Sequence, residues 1–295
     1  MGATTHIEWT DATWNPVTGC TKVSPGCDHC YAERVTERFH GPGSFATVQM
    51  HPDRLDLPLH WRKPRKVFVN SMSDLFHDDV PDRFIAEIFA VMLLAPMHTF
   101  QVLTKRHARM RALLNSDDFW TVVGERAGVR VGAPMAGLAS KVIPWVWLGV
   151  SVESQQWADI RIPALLETPA AVRFLSCEPL LGPIDLRSVN SPKLGGITWL
   201  NVLRPGGVDW VIVGGESGKD ARPMRPKWAR DIRDQCVEDR VPFLFKQWGE
   251  FAPARSGEAW QVGEEFWPIW RYGKKSAGRE LDGRTWDEYP SVGAA

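Results

Sequence analysis

The stretch "KVFVNSMSDLFHDDVPDRFIAEIFAVMLLAPMHTFQVLTKR", residues 66–106, contains two short apolar runs with a helical pattern between them. The runs begin at residues 66 and 99, are rich in Val, Phe and Leu, and each passes into polar residues at its C-terminal end. Between them, apolar residues recur at helical spacing after Pro81, a residue suited to the start of a helix. Strand, helix and strand in this order predict two parallel strands joined by a helix.

The same alternation continues along the chain. Four more short runs of β-branched and aromatic residues end in small or charged side chains, as expected for buried parallel strands. They span residues 145–154, 172–179, 209–217 and 242–250. Helical patterns occupy residues 157–167 and 226–239, while 124–142 resembles an insertion and 187–207 a long loop. Residues 7–15 and 31–39 are predicted as the first strand and the first helix.

These elements predict an α/β fold with a parallel sheet, either a barrel or an open sheet. This α/β unit is expected to span residues 1–250. Residues 251–295, where Trp alternates with Gly and charge, are predicted to be a C-terminal extension packed on the barrel or capping its mouth. Polar clusters at the C-terminal ends of parallel strands gather at one edge of a sheet, so we expect one shared site there.

The bulk composition excludes several classes of protein. The chain has 295 residues with 44% hydrophobic and 24% charged residues, enough to build a large core and unlike a disordered chain. Thirty-five basic residues balance thirty-five acidic ones, which gives no general attraction to nucleic acid or membrane. There is no secretory signal pattern and no apolar run of roughly 18 residues. We therefore expect a cytoplasmic protein without a membrane partner.

Three of the five cysteines lie close together, in the loop "GCTKVSPGCDHC" at residues 19–30. In a reducing compartment such a cluster indicates metal binding or catalysis rather than a disulfide. A structural zinc site needs a fourth ligand, for which His29, His40, Cys177 and Cys236 are the candidates. A [4Fe–4S] cluster differs, since three thiolates can hold three irons and leave the fourth open.

The loop resembles the cluster loop of radical S-adenosylmethionine (SAM) enzymes. Their usual pattern is C-x3-C-x2-C after the first strand of a partial (β/α)6 barrel, whereas this chain has C-x6-C-x2-C at Cys20, Cys27 and Cys30. The resemblance implies that residues 1–250 form a partial parallel (β/α)6 TIM-like barrel. It also implies that these three cysteines ligate a [4Fe–4S] cluster. It also implies that SAM binds the open iron and is cleaved reductively to a 5′-deoxyadenosyl radical.

The resemblance is closer to one branch of that superfamily. The segments "WNPVTGC", "GCDHCYAERV", "NSMSDLFHDD", "SCEPLLGPID", "VGGESG", "FKQWGE" and "LDGRTWDEYP", which lie between residues 14 and 290, are similar to a phage- and prophage-associated family of three-cysteine, radical SAM-like proteins. That family has a poorly defined function. Its association with phages implies a nucleic acid or nucleotide substrate.

The resemblance assigns cofactor roles to polar strand ends. The SAM amino group is expected near Ser71, Ser73 and Asp74, the SAM carboxylate near Lys105 and Arg106, and the ribose hydroxyls near Ser151 and Glu153. Each such residue is equally compatible with a structural role, because polar residues end strands for both reasons.

Three further residues are candidates for catalysis or substrate contact. They are Glu178, Glu216 and His77. Glu178 has a structural alternative as an ion-pair partner of Arg106 or Arg173. Glu216 follows two glycines, which would let the backbone approach a ligand closely. The segment containing His77 is also compatible with simple helix-start chemistry.

The sequence thus predicts a radical SAM-type enzyme supplied with electrons by a reductant such as flavodoxin or ferredoxin. An alternative is a zinc- or cluster-stabilised nucleic-acid-binding phage protein without catalysis, which predicts no convergence of strand ends on a cavity. The basic run Lys274, Lys275, Arg279 and Arg284 would suit that alternative. A third hypothesis is a non-radical barrel enzyme that acts on a phosphorylated small molecule, with structural cysteines.

Overall fold

Seven parallel strands form the central sheet, as the alternating pattern predicts. A computed structural model describes residues 5, 7–135, 138, 140–191, 198–254, 261–262, 265–266 and 269–291. The strands are β1 Ala12–Trp14, β2 Lys66–Val69, β3 Thr99–Thr104, β4 Val146–Ser151, β5 Val172–Cys177, β6 Trp210–Gly214 and β7 Phe243–Gln247. They follow one another in the sheet in chain order, and the sheet curls into a half-barrel.

Helices flank this half-barrel, which confirms a TIM-like α/β architecture in outline. The helices are α1 Tyr31–His40, α2 Asp82–Leu94, α3 His107–Asn115, α4 Asp117–Val131, α5 Gln155–Leu166, α6 Pro226–Asp239 and α7 Lys274–Ala277. The described sheet has seven strands. The division of the barrel into six β/α units stays a prediction. None of the helices in the described ranges combines the length and apolar character needed to cross a membrane.

Short elements fill the connections. Single 3-10 turns occur at Pro25–Cys27, Ser44–Ala46, Pro52–Arg54 and Leu57–His60. Antiparallel pairs join Val17–Thr18 with Gln49–Met50, Val189–Ser191 with Thr198–Leu200, Phe251–Pro253 with Ile269–Arg271, and Gln261–Val262 with Glu265–Phe266.

Two stretches were predicted not to fit the repeat. Residues 124–142, predicted as an insertion, include the end of α4, which is a second helix between β3 and β4 and packs against α2. The predicted long loop at 187–207 contains a hairpin in its described part, and residues 192–197 lie outside the described ranges. Both segments lack the strong strand or helix periodicity that sequence interpretation depends on.

Side chains of the strands alternate between two apolar layers. One set, with Val67 and Val211 among it, packs against the helices in the larger core. The other set packs inside the half-barrel and is largely aromatic. Its members are Trp9, Phe68, Trp147, Val172, Phe174, Trp210, Ile212 and Leu244. Because strand side chains alternate with a period of two, the polar residues that continue this inner set past the strand ends face one common space.

The C-terminal residues contact the sheet at its edge strand and at strand ends. Along the edge strand β7, Phe245 donates its backbone N–H to the Trp286 carbonyl at 3.0 Å, and at the amino end of β6, Trp210 donates its indole N–H to the Glu288 carbonyl at 2.8 Å. At the carboxyl end, Arg271 donates to the Gly218 carbonyl at 2.8 Å. The boundary at residue 250 stays a prediction.

Candidate functional site

A cavity of about 270 Å³ opens where the strands end. Its floor is apolar and includes Trp9, Phe68 and Leu103 from inside the half-barrel. Its rim is formed by the cysteine loop on one side and by the segments that follow the strands on the other. The predicted convergence of polar strand ends on a single space is therefore observed.

Most of the predicted site residues line this cavity. They are Cys20, Cys27, Cys30, Ser71, Ser73, Asp74, Lys105, Arg106, Ser151, Glu178 and Glu216. The structure places the other two, Glu153 and His77, behind the wall, where each contacts the cysteine loop. Lining the cavity does not by itself assign a role, so the partners of each side chain decide what it can do.

The three thiols of the loop are free and half-buried. Arg106 points a guanidinium N–H at the Cys20 sulfur, with Nη1 at 3.5 Å, and a second N–H at the Thr21 hydroxyl at 2.9 Å. Burial, reinforced by Asp74 and opposed by Arg106, raises the pKa of Cys20 to about 11. Cys20 is therefore a neutral thiol at pH 7 unless a bound cation favours its thiolate.

The described residues contain no group of three Cys, His, Asp or Glu side chains gathered as a single metal ion requires. Three of the four candidates for a fourth ligand lie away from the cavity. Cys177 and Cys236 are fully buried in the core between sheet and helices, and His40 is exposed at the C-terminal end of α1. His29 lines the cavity and donates its Nδ1–H to Glu216 Oε2 at 3.1 Å. The donors at the cavity are thus three thiols, with the His29 ring beside them.

The Glu153 carboxylate supports one side of the cysteine loop. It accepts a hydrogen bond from Ser24 and pairs with Arg161 at 2.7 Å, and both charged groups are buried. Gly26 lies so close that a β-carbon there would stand 2.3 Å from Glu153 Oε1. A glycine is therefore required at this close approach. Glu153, predicted to contact ribose, instead supports the loop between Cys20 and Cys27.

The Glu216 carboxylate supports the other side of the cysteine loop. It accepts a hydrogen bond from His29 at 3.1 Å. It also accepts hydrogen bonds from three N–H groups of Arg222, at 2.7 to 2.9 Å. Arg222 in turn donates to the Pro25 carbonyl at 2.8 Å and pairs with Asp28 at 3.2 Å. Burial would raise the pKa of Glu216, but the hydrogen bonds from Arg222 and then His29 hold that pKa below its usual range.

His77 also supports the loop. Its Nδ1 accepts the Asp79 backbone N–H at 3.1 Å, which leaves Nε2–H to donate to the Thr21 hydroxyl at 2.8 Å. Burial, with Arg106 nearby, lowers the pKa of His77, so the ring is neutral at pH 7. The structure therefore gives His77 a contact with the residue next to Cys20 rather than a place in the cavity.

The polar side chains that follow β2 mainly form hydrogen bonds with other residues of the chain. Asp74 accepts hydrogen bonds from the Thr104 hydroxyl at 2.7 Å and the Lys105 backbone N–H at 2.9 Å. The hydroxyls of Ser71 and Ser73 donate to Asn15 and Val17, respectively. These contacts tie the end of β2 to β1 and β3.

Glu178 and Lys246 form an ion pair inside the cavity, 3.1 Å apart. The predicted partners of Glu178, Arg106 and Arg173, are engaged elsewhere: Arg173 donates to backbone carbonyls at the end of α5. A β-carbon at Gly214 would stand 2.2 Å from Glu178 Oε1, so the glycine makes room for this carboxylate. The pair places a carboxylate and an ammonium group next to the cysteine rim.

Comparison with protein families matches residues 4–290 to a profile described as "Protein of unknown function (DUF5131)". The chain belongs to the DUF5131 family. Neither the curated proteins nor the solved structures gave a match. Membership of DUF5131 covers nearly the whole chain and assigns no activity.

Sequence reasoning missed several residues of this DUF5131 site. Lys246 was recognisable as a polar strand end but was not assigned a role. Arg161 carries a usable signal, because a charge among the apolar residues "DIRIPALL" of α5 indicates a buried partner. Arg222 lies in an irregular segment, where no periodicity reveals that its side chain reaches Glu216.

Proposed function

We propose that this protein is a radical SAM-type enzyme of a reducing cytosol. It would bind a [4Fe–4S] cluster through Cys20, Cys27 and Cys30 and cleave SAM reductively. The observation that carries the proposal is that the three cysteines of one loop line the same cavity as the polar ends of the strands.

The three cysteine thiols match a [4Fe–4S] cluster with one open iron, both in ligand type and in number. A single zinc ion with zinc–sulfur bonds of about 2.3 Å requires its ligands to converge on one point. A cubane cluster takes each cysteine at a different iron, so its thiols need not converge. The absence of a converging group among the described residues is compatible with the second arrangement. When bound, such a cluster supplies the electron that cleaves SAM.

The chain's own residues would then position the loop and balance its charge. Glu153 and Glu216 support it from two sides, and His77 and Arg106 meet at Thr21 beside Cys20. The Arg106 guanidinium would stabilise the Cys20 thiolate once its proton is lost. Arg106 is therefore assigned to the loop rather than to the SAM carboxylate.

Lys105 and Ser151 are the assigned polar groups best suited to contact SAM. Lys105 lines the cavity with its ammonium 4.0 Å from Glu153, a distance that leaves donors for a carboxylate. Ser151, the last residue of β4, also lines the cavity. Glu178 with Lys246 would move a proton to or from the substrate.

The convergence of strand ends on a cavity favours an enzyme over the non-catalytic nucleic-acid-binding alternative. The alternative predicts strand-end clusters that do not converge on a cavity. A flavodoxin or ferredoxin as reductant, and a phage context, stay predictions that depend on the resemblance.

Metal analysis with EPR spectroscopy tests the proposal. Protein purified and reconstituted without oxygen should contain about four irons per chain. After reduction with dithionite it should give an EPR signal that changes when SAM is added. Stoichiometric zinc with no iron uptake on reconstitution would contradict the proposal.

A further inference from the structure

Helix α1 presents a row of apolar side chains to solvent. Tyr31, Val35 and Phe39 are four residues apart and therefore lie on one face of the helix. They are 46%, 44% and 74% exposed, respectively. Contiguous exposed apolar side chains of this size mark an interaction surface.

Two arginines lie beside this row. Arg34 and Arg38 precede Val35 and Phe39 by one residue each, and both are exposed. The Arg38 guanidinium carbon is 6.0 Å from the centre of the Phe39 ring. The exposed side of the helix thus carries Tyr31, Val35 and Phe39 with the two arginines beside them, and this surface is here called the α1 strip.

The acidic residues of α1 are engaged elsewhere. Glu33 pairs with Lys22 of the cysteine loop at 2.9 Å, and Glu37 accepts the Gly43 backbone N–H at 2.7 Å. Both are less exposed than the two arginines. The surface offered to a partner by the α1 strip is thus apolar and positively charged.

The α1 strip is continuous with the cavity. Tyr31 follows Cys30 directly, lines the cavity, and donates its hydroxyl to the Ser71 carbonyl. Arg34 donates to the carbonyl of Ser217, another lining residue, at 2.9 Å. A ligand lying along the helix would therefore lead into the space between the cysteine rim and the strand ends.

We propose that the α1 strip binds a single-stranded nucleic acid and directs one unstacked base to the cavity. Aromatic side chains provide stacking for bases, and arginines contact phosphates and stack as well. A base that undergoes chemistry must leave its stack to enter such a pocket. The inference names the substrate class of the site and rests on the proposed function for the chemistry in the cavity.

An anionic bilayer is the rival occupant of an apolar and cationic helix face. The strength of binding in a membrane interface scales with the apolar area that is buried there. Helix α1 has 10 residues, of which only three form the apolar row. Two aromatic rings, of which Tyr31 lines the cavity, match a chain of bases better than acyl chains.

Fluorescence anisotropy with labelled single-stranded DNA and RNA of ~15 nucleotides and mixed sequence tests the inference. The wild-type chain should bind, and Phe39→Ala should weaken binding at least about fivefold, because one stacking contact is lost. Arg38→Ala should lower the slope of log K against log salt by about one. Val129→Ala and Arg204→Ala, which change an exposed apolar residue of α4 and an exposed arginine before β6, should stay within about twofold of wild type.

The experiment separates this inference from the proposed function when it is run on iron-loaded and iron-free protein. Oligonucleotide binding that depends on Phe39 and Arg38 supports the inference even if SAM is not cleaved. Three outcomes overturn it: no binding by wild type, equal effects of test and control variants, or binding to phosphatidylserine vesicles in place of oligonucleotides. SAM cleavage without oligonucleotide binding would leave the proposed function intact and remove this substrate class.

Discussion

Gly26 lies directly against Glu153, where a β-carbon would stand 2.3 Å from the Oε1 atom. Gly26→Ala should therefore push the cysteine loop away from its support and disturb the positions of Cys20 and Cys27. We expect a loss of about 1–3 kcal/mol in the free energy of unfolding, as for overpacking, together with reduced iron uptake on reconstitution. Denaturant unfolding and iron analysis measure the two effects.

Gly182→Ala is the matched control, because the nearest atom to a β-carbon there is 3.4 Å away, on Ser154. This variant should fold and load iron like wild type. Full iron uptake by Gly26→Ala would show that Glu153 does not hold the loop.

The buried pair Glu153–Arg161 predicts strongly non-additive mutations. Arg161→Met leaves a buried carboxylate without its cation and should cost about 3–5 kcal/mol of unfolding free energy. Two guanidinium nitrogens of Arg161, Nε and Nη2, have no hydrogen-bond partner among the described residues, so burial of the pair costs desolvation free energy. Adding Glu153→Gln should recover part of the loss. Urea unfolding of the four proteins in the cycle measures the coupling, and additive losses would contradict it.

The depressed pKa of Glu216 predicts how stability depends on pH. A carboxyl whose pKa is lower in the folded state stabilises the fold above its unfolded value, here about 4.5, and loses that contribution as pH falls through the folded value. Glu216→Gln should therefore cost about 1–3 kcal/mol at pH 7 and progressively less below about pH 4.5.

Unfolding measurements at several pH values test this prediction. Glu125→Gln, on the exposed side of α4, should have no comparable effect at any pH. A Glu216→Gln penalty that is independent of pH would mean that the hydrogen bonds from Arg222 and His29 do not stabilise the ionised carboxylate.

The C-terminal residues are predicted to be integral to the stability of the barrel. Trp286 packs edge-to-face against Phe243, with 5.7 Å between ring centres, and lies under the Arg284 guanidinium at 3.6 Å. Trp286→Ala should lower the free energy of unfolding by about 3 kcal/mol or more. Trp199→Ala, at a position 59% exposed, is the control and should change it little. Equal effects would place the tail outside the folding unit.

Residues with strong periodicity were predictable from the sequence. The apolar runs before Asn70, Lys105, Ser151 and Glu178 became strands whose polar ends line one cavity, because parallel strands end at the same edge. The short first strand was placed correctly but is shorter than predicted, since residues before Ala12 form turns rather than ladder hydrogen bonds.

Roles within the site were harder to predict. The sequence indicates that Glu153, Glu216 and His77 lie near the cavity, but not that each faces the cysteine loop. Their partners Arg161 and Arg222 come from a helix and an irregular segment, and a contact between distant residues leaves no local pattern. Side-chain direction at a strand end depends on such contacts, which only the folded chain defines.

Formation of 5′-deoxyadenosine is the most direct measurement of the central claim. Wild-type protein reconstituted without oxygen and reduced with dithionite should convert SAM to 5′-deoxyadenosine, detected by liquid chromatography and mass spectrometry. Cys30→Ser should abolish the product, while Cys236→Ser, a buried thiol of α6, should retain it. Protein that holds about four irons per chain yet forms no 5′-deoxyadenosine would contradict the account.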